Sequence, residues 1–292
     1  MIPKEIIQKV RRIELRTRSV VESVLSGEYQ SVFKGRGMEF SEVRTYNPGD
    51  DIRSIDWNVT ARMGGPYVKK YVEERELTVM LIVDASASGT FGSVRQFKDE
   101  IAVELCALLA FSAIKNNDRV GLIIFTSEVE KYIPPKKGKN HVLRVIRELL
   151  YFKPEKKGTD IAEALSFLNR VQRKKAVVFC VSDYIASGFE APMRVAAHRH
   201  DLIAVTITDP RERELPDVGL IDLEDPETGR TMVINTHDRL TRERFKQEAA
   251  KKNSAVRSFF RSNGIDEIPV TTENDYVEPL VKFFKKREKM YR

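Results

Sequence analysis

The chain has 292 residues, of which 41% are hydrophobic and 32% charged, and it carries a net charge of +7. That length and apolar content can bury one large core, or a core with a smaller domain, and they exclude disorder as the general state. No basic tail is present, which argues against a chain built to coat nucleic acid or an anionic surface.

In chain order, the spacing predicts an amphipathic helix over residues 6–25, ended by Gly27. Its first residues alternate charged with apolar and lack the continuous apolar segment of a secretory signal. Residues 27–76 are dense in turn signals and short β-like runs, with Pro48-Gly49-Asp50 as turn chemistry. Trp57 is expected to anchor this segment on the core, and Arg44, Arg53, Arg62, Asp50, Asp51 and Asp56 to form the ion pairs that hold it. The competing reading makes the same residues a recognition surface, since Arg and Trp are favoured at interfaces.

From residue 77 the pattern alternates. Strands are expected near 79–84, 120–125, 177–182, 202–207 and 268–271, and helices near 96–115, 141–150, 160–171, 192–200, 239–262 and 276–289. Such alternation indicates an α/β fold, a mostly parallel sheet with helices on both faces. A β-hairpin insertion is expected at about 211–236, around the turn at 226–229. The division is therefore an N-terminal extension over 1–76 and an α/β domain over 77–292.

The longest apolar stretch, 101–114, contains Glu104 and is shorter than the roughly 20 residues a spanning helix needs, so it reads as a buried helix. A cytoplasmic location follows as the expectation, with peripheral membrane association left open. Cys106 and Cys180 lie in apolar runs and read as core thiols of a reducing compartment. The four histidines are scattered and read as structural or surface residues.

The chemistry concentrates at three strand ends. Asp84-Ala85-Ser86-Ala87-Ser88 follows the apolar run 77–83, Gly158-Thr159-Asp160 precedes a helix, and Ser182-Asp183 follows the strand 177–182. In an open parallel sheet the carboxyl ends of the strands share one rim where ligands bind, so Asp84, Ser86, Ser88, Thr159 and Asp183 are expected to form one site. All five side chains offer oxygen. That suits a hard ion, Mg²⁺ with Mn²⁺ or Ca²⁺ as alternatives, and makes zinc a poor choice. Two carboxylates cannot fill an octahedron, and with three neutral hydroxyls beside them the ion keeps water or an open position to which an incoming carboxylate or phosphate would be attracted. Asp160-Ile161-Ala162-Glu163 has capping-box spacing, which assigns Asp160 to the helix and leaves Thr159 to the ion.

This set resembles the metal-ion-dependent adhesion site of von Willebrand factor A domains. The resemblance implies Ser86, Ser88 and Thr159 as direct ligands, Asp84 and Asp183 beside them, and a partner's Asp or Glu completing the shell. A second, longer resemblance runs through Gly35-Arg36-Gly37-Met38-Glu39-Phe40, residues 44–57, Ala61-Arg62, residues 68–75, and the later Asp209-Pro210, Leu215-Pro216 and 225–229 turn. These resemble the signature of domain-of-unknown-function family 58. Many longer relatives carry spanning segments before this signature; this chain does not. The family resemblance also implies a partner, a MoxR-type AAA+ ATPase.

Three functional classes follow. The favoured one is a non-enzymatic, divalent-metal-dependent protein-binding module, an adaptor or co-chaperone working with that ATPase in protein maturation or complex assembly. A metal-dependent phosphoryl-transfer enzyme is the first alternative, against which stand the missing phosphate loop, Asp-x-Asp pair and Gly-x-Ser-x-Gly elbow. Nucleic-acid binding is the second. It would use residues 131–157, where nine Lys or Arg face only Glu148 and Glu155, but interleaved stacking aromatics are few. In the favoured reading this basic stretch, with Lys136, Lys137 and Lys139 at its centre, frames the rim and steers an acidic partner.

Overall fold

The computed structural model describes residues 13–14, 39–72, 76–90, 92–93, 96–224 and 231–291. The expected helix over 6–25, residues 35–38 of the family signature and the 225–229 turn thus lie wholly or largely outside the described residues; Ile13 and Glu14 are helical.

Two strands, β1 (Glu39–Thr45) and β2 (Tyr67–Val72), pair antiparallel as a sheet of their own, with a short helix α1 (Trp57–Met63) between them. Asp56 caps α1, its carboxylate accepting from the backbone N–H groups of Asn58 and Val59, and Gly64 ends it in the left-handed conformation. Charge pairs brace this segment internally: Arg44 forks onto Asp50 at 2.7 and 2.8 Å, and Lys69 lies 3.5 Å from Asp56, both closing within the segment rather than onto the core. Trp57 departs from expectation. It is 66% exposed, because the first position of a capped helix turns its ring outward, so it anchors nothing on the core.

The rest is a doubly wound α/β domain. Its strands are β3 (Thr78–Asp84), β4 (Arg119–Phe125), β5 (Val129–Lys136), β6 (Val177–Ser182), β7 (Asp201–Thr208) and β10 (Asp266–Thr271), in the order β10-β7-β6-β3-β4-β5. All neighbours run parallel except β5, which is antiparallel to β4. The helices are α2 (Lys98–Lys115), α3 (Lys139–Leu150), α4 (Ile161–Val171), α5 (Glu190–Arg199), α6 (Arg239–Ser262) and α7 (Val277–Tyr291). Strands β8 (Leu220–Glu224) and β9 (Thr231–Asn235) form the expected hairpin.

Period-two alternation explains why the central strands are apolar throughout. Val79, Leu81 and Val83 of β3 enter the core shared with α2, α3 and α7, while Met80 and Ile82 enter the one shared with α4, α5 and α6. Cys106 and Cys180 are buried, one in each core, and burial pushes both thiols up to about 12. Among the described residues no helix is long and apolar enough to cross a membrane.

Strand β5 is the one sheet element that the sequence pattern did not predict. It is an edge strand with only Ile133 fully buried, and an edge tolerates Pro134 and Pro135 because no partner needs their missing N–H groups. Its direction also corrects the reading of the basic stretch. Val129 pairs with Phe125 at the carboxyl end of β4, but Lys136 pairs with Val120 at the amino end. Lys136, Lys137 and Lys139 therefore sit a strand length away from the rim they were expected to frame. Several lysines of the stretch are also paired, Lys131 with Glu148, Lys137 with Glu76, Lys139 with Glu14 and Lys156 with Glu128.

Candidate metal centre

The chain order reverses between β3 and β6. From β3 it proceeds to β4 on one side, and from β6 to β7 on the other, so the crevice at the carboxyl ends of β3 and β6 is the topological switch point where α/β sheets place ligands. Asp84 ends β3, and Asp183 follows the last residue of β6.

Asp84 is fixed by two donors: the Ser86 N–H donates to one carboxylate oxygen at 2.9 Å and the Ser182 hydroxyl to the other at 2.7 Å. A 3₁₀ turn over Ala87–Thr90 folds the loop back, so that the Ser86 and Ser88 hydroxyl oxygens are 3.0 Å apart. Asp183 accepts from the Ile185 N–H at 3.1 Å. The bend after it is held by Tyr184, a non-glycine residue with φ of 57°, whose buried ring stacks edge-on against Phe189 and Phe260 while its hydroxyl donates to the Cys180 carbonyl. Packing thus stabilises the strained turn that presents Asp183.

Thr159 arrives from the far side of β4. Gly158 takes φ of 88°, which favours glycine, and the Asp160 N–H donates to the Thr126 carbonyl at 2.8 Å, fastening the loop to the strand end. Asp160 caps α4 as expected by accepting from the Glu163 N–H at 2.8 Å. The reciprocal half of the box is replaced, because Glu163 instead accepts from Arg170 and the Asp160 N–H is already used.

A small cavity of about 30 Å³ opens here, with Asp84, Ser88, Asp183, Ser182, Asp99 and Lys98 on its wall. Three of the five expected residues therefore share one concavity. Ser86 is buried behind Ser88, and Thr159 enters the same rim without lining this space.

Lys98 is the functional residue that sequence reasoning missed. It is 4% exposed, and its ammonium donates to Asp183 at 2.9 Å and to Glu212 at 2.5 Å. Burial works against its charge, but the Asp183 and Glu212 carboxylates outweigh it and raise its pKa. One signal was available: Lys98 opens α2, and a helix N-terminus disfavours a cation unless an anion meets it. Asp209 was missed as well. Fully buried, it accepts from the Ser93 N–H and hydroxyl, the Arg211 N–H and the Thr272 hydroxyl, tying the loop after β3 to the ends of β7 and β10. Those hydrogen bonds overcome burial and lower its pKa.

The charge balance fits a cation. Asp84, Asp99 and Asp183 face the cavity against the single ammonium of Lys98. Burial, followed by the Asp183 charge, pushes Asp84 up to about 6 against the hydrogen bonds from Ser182 and Ser86. A carboxylate shifted this way lacks full compensation, and a divalent ion would supply it. Among the described residues no three His, Cys, Asp or Glu side chains gather closely enough to hold a metal by themselves.

The profile of the family described as "Protein of unknown function DUF58" matches residues 42–255. The chain belongs to this family. The uncharacterized protein Rv1480 of Mycobacterium tuberculosis is 31% identical over 283 residues, covering 96% of this chain and 89% of its own. The uncharacterized protein YeaD of Bacillus subtilis is 28% identical over 37% of this chain and 25% of its own. Among solved structures, the conserved hypothetical protein BatB from Bacteroides thetaiotaomicron is similar at 20% identity and a TM-score of 0.46, over 73% of this chain and 99% of that one. A mussel byssus matrix protein solved with a zinc-occupied adhesion-site motif is similar at 16% identity and a TM-score of 0.35, over 46% and 38%. These distant likenesses assign no residue a role in this DUF58 protein.

Proposed function

We propose that this DUF58 protein is a non-enzymatic, divalent-metal-dependent protein-binding module. The observation that carries the reading is the meeting of Asp84 and Asp183 at the switch point, with Asp84 half-buried, undercompensated and bordered by hydroxyls. Asp84, Ser86, Ser88, Thr159 and Asp183 would hold Mg²⁺, or Mn²⁺ or Ca²⁺, consistent with an all-oxygen donor set. When bound, the ion would supply an electropositive point at the rim that accepts an Asp or Glu carboxylate from a partner. Lys98 holds Asp183 in place and limits the negative charge of the site, while Asp209 keeps the loop after β3 docked.

The partner we propose is a MoxR-type AAA+ ATPase or its client, which makes this chain an adaptor or co-chaperone in protein maturation or complex assembly, working in the cytoplasm. Support for the partner is the family resemblance alone. The test is binding of a co-purifying ATPase, encoded in the same genome, with Mg²⁺ or without divalent ions. Binding should require the ion and weaken at least tenfold in Asp84→Ala and Thr159→Ala with the fold intact. Equal affinity in both conditions would show a structural site and overturn the reading.

A further inference from the structure

We infer that the face of α6 turned toward Arg213 is a second binding site, for a small molecule carrying two or more phosphoryl groups. A cavity of about 550 Å³ lies there, lined by Arg213, Asn253, Ser254, Arg257, Ser258 and Arg261. Five of these recur at helical spacing, so they form one stripe of α6, and Arg213 closes the space from the turn after β7. No carboxylate is on the wall.

Arg257 and Arg261 are exposed and Arg213 is half-buried, so the concavity is an open groove along the helix face. Here Arg257 meets Glu267, at 3.3 Å, but Arg213, half-buried, donates to the Thr208 hydroxyl at 2.6 Å. With Arg257 shared by Glu267, Arg213 and Arg261 leave two like charges beside one groove, and a multiply charged anion would be attracted to them. The planar forks of arginine match phosphoryl oxygens in pairs, with Ser254, Ser258 and Asn253 as neutral donors between them. The volume is that of a small-ligand site, and the absence of an aromatic ring from the wall leaves a nucleobase nothing to stack on. The phosphoryl groups themselves are therefore what the cavity recognises. A smaller adjoining cavity, which shares Arg213, Asn253 and Arg257, reaches Asp183 at the rim, so the test must separate this site from any metal there.

The experiment is a calorimetric titration of inorganic tripolyphosphate into protein stripped of metal on a chelating resin, with no soluble chelator to compete as an anion. Saturable one-to-one binding is expected. Arg261→Gln, at an exposed position that cannot unfold the core, should weaken it about tenfold, the scale of one charge-assisted contact. Lys251→Gln, exposed on the same helix but off the cavity wall, should leave it unchanged. Absence of saturable binding, a requirement for Mg²⁺, equal loss in Lys251→Gln, no loss in Arg261→Gln, or citrate binding as tightly as tripolyphosphate would each overturn the assignment.

Discussion

The rim of the α/β domain and the β1–α1–β2 segment are both rich in charged motif residues, yet the fold treats them oppositely. At the rim, Lys98 and Asp209 are buried and Asp84 and Asp183 half-buried, and each is met by named partners. In the N-terminal segment Arg44, Asp50, Asp51 and Arg53 pair or cap near the surface, and Trp57 points into solvent. A dense motif therefore does not mark a buried site. What marks the rim is charge whose removal would leave another charge stranded.

The largest expected difference comes from breaking one pair in each region. Lys98→Met should destabilise the protein by about 3–5 kcal/mol, because Asp183 and Glu212 lose their shared cation in a buried setting. Arg44→Ala, in an exposed pair, should leave the denaturation midpoint where it was; equal shifts in the two variants would erase the contrast.

Asp84→Asn should act in the opposite direction on metal-free protein. The folded pKa of Asp84 lies above its unfolded value of 3.8, at about 6, so the folded state binds more protons between these values and loses stability as pH rises from 4 to 6. Removing the charge should recover about 3 kcal/mol at pH 7 and nothing below pH 4, while abolishing metal affinity. Denaturation series at the two pH values check the sign, and destabilisation at pH 7 would refute it.

His200 tests the acid side. Both ring nitrogens are buried without a hydrogen-bond partner, and burial, then Arg199 and Lys175, lower its pKa. The unfolded chain therefore takes up a proton that the folded one refuses, and stability contributed by the neutral ring is lost as pH falls below about 6.5. His200→Leu should flatten that loss in an unfolding series from pH 7.5 to 5.5.

Trp57→Ala, like Arg44→Ala, is expected to stay within about 0.5 kcal/mol of wild type at so exposed a position. A fall in partner affinity at unchanged stability would assign the segment to recognition rather than to bracing.

Most of the parallel domain was legible because its strands and helices carry their own periodicity: α6 matches the expected 239–262, and β6 the expected 177–182. Edge strand β5 was not, since two prolines and the charged Glu130, Lys131 and Lys136 obscure a strand that is only half buried. At the site, the Asp84, Ser86 and Ser88 spacing is local and could be read. The Lys98 contacts to Asp183 and Glu212 span 85 and 114 residues, and the Asp209 contact to Ser93 spans 116, so only the assembled sheet brings them together. Trp57 failed for the converse reason, because a large aromatic side chain does not specify by itself which way a capped helix will turn it.

Uptake of a divalent ion at the rim is the property on which the proposed binding role depends. Calorimetric titration of Mg²⁺ and Mn²⁺ into metal-free protein at pH 7.5 should give one saturable event that disappears in a Ser86→Ala, Ser88→Ala double variant. The same event should weaken at pH 5, where protons compete for Asp84. No heat for either ion, or an unaltered heat in the double variant, would contradict the account.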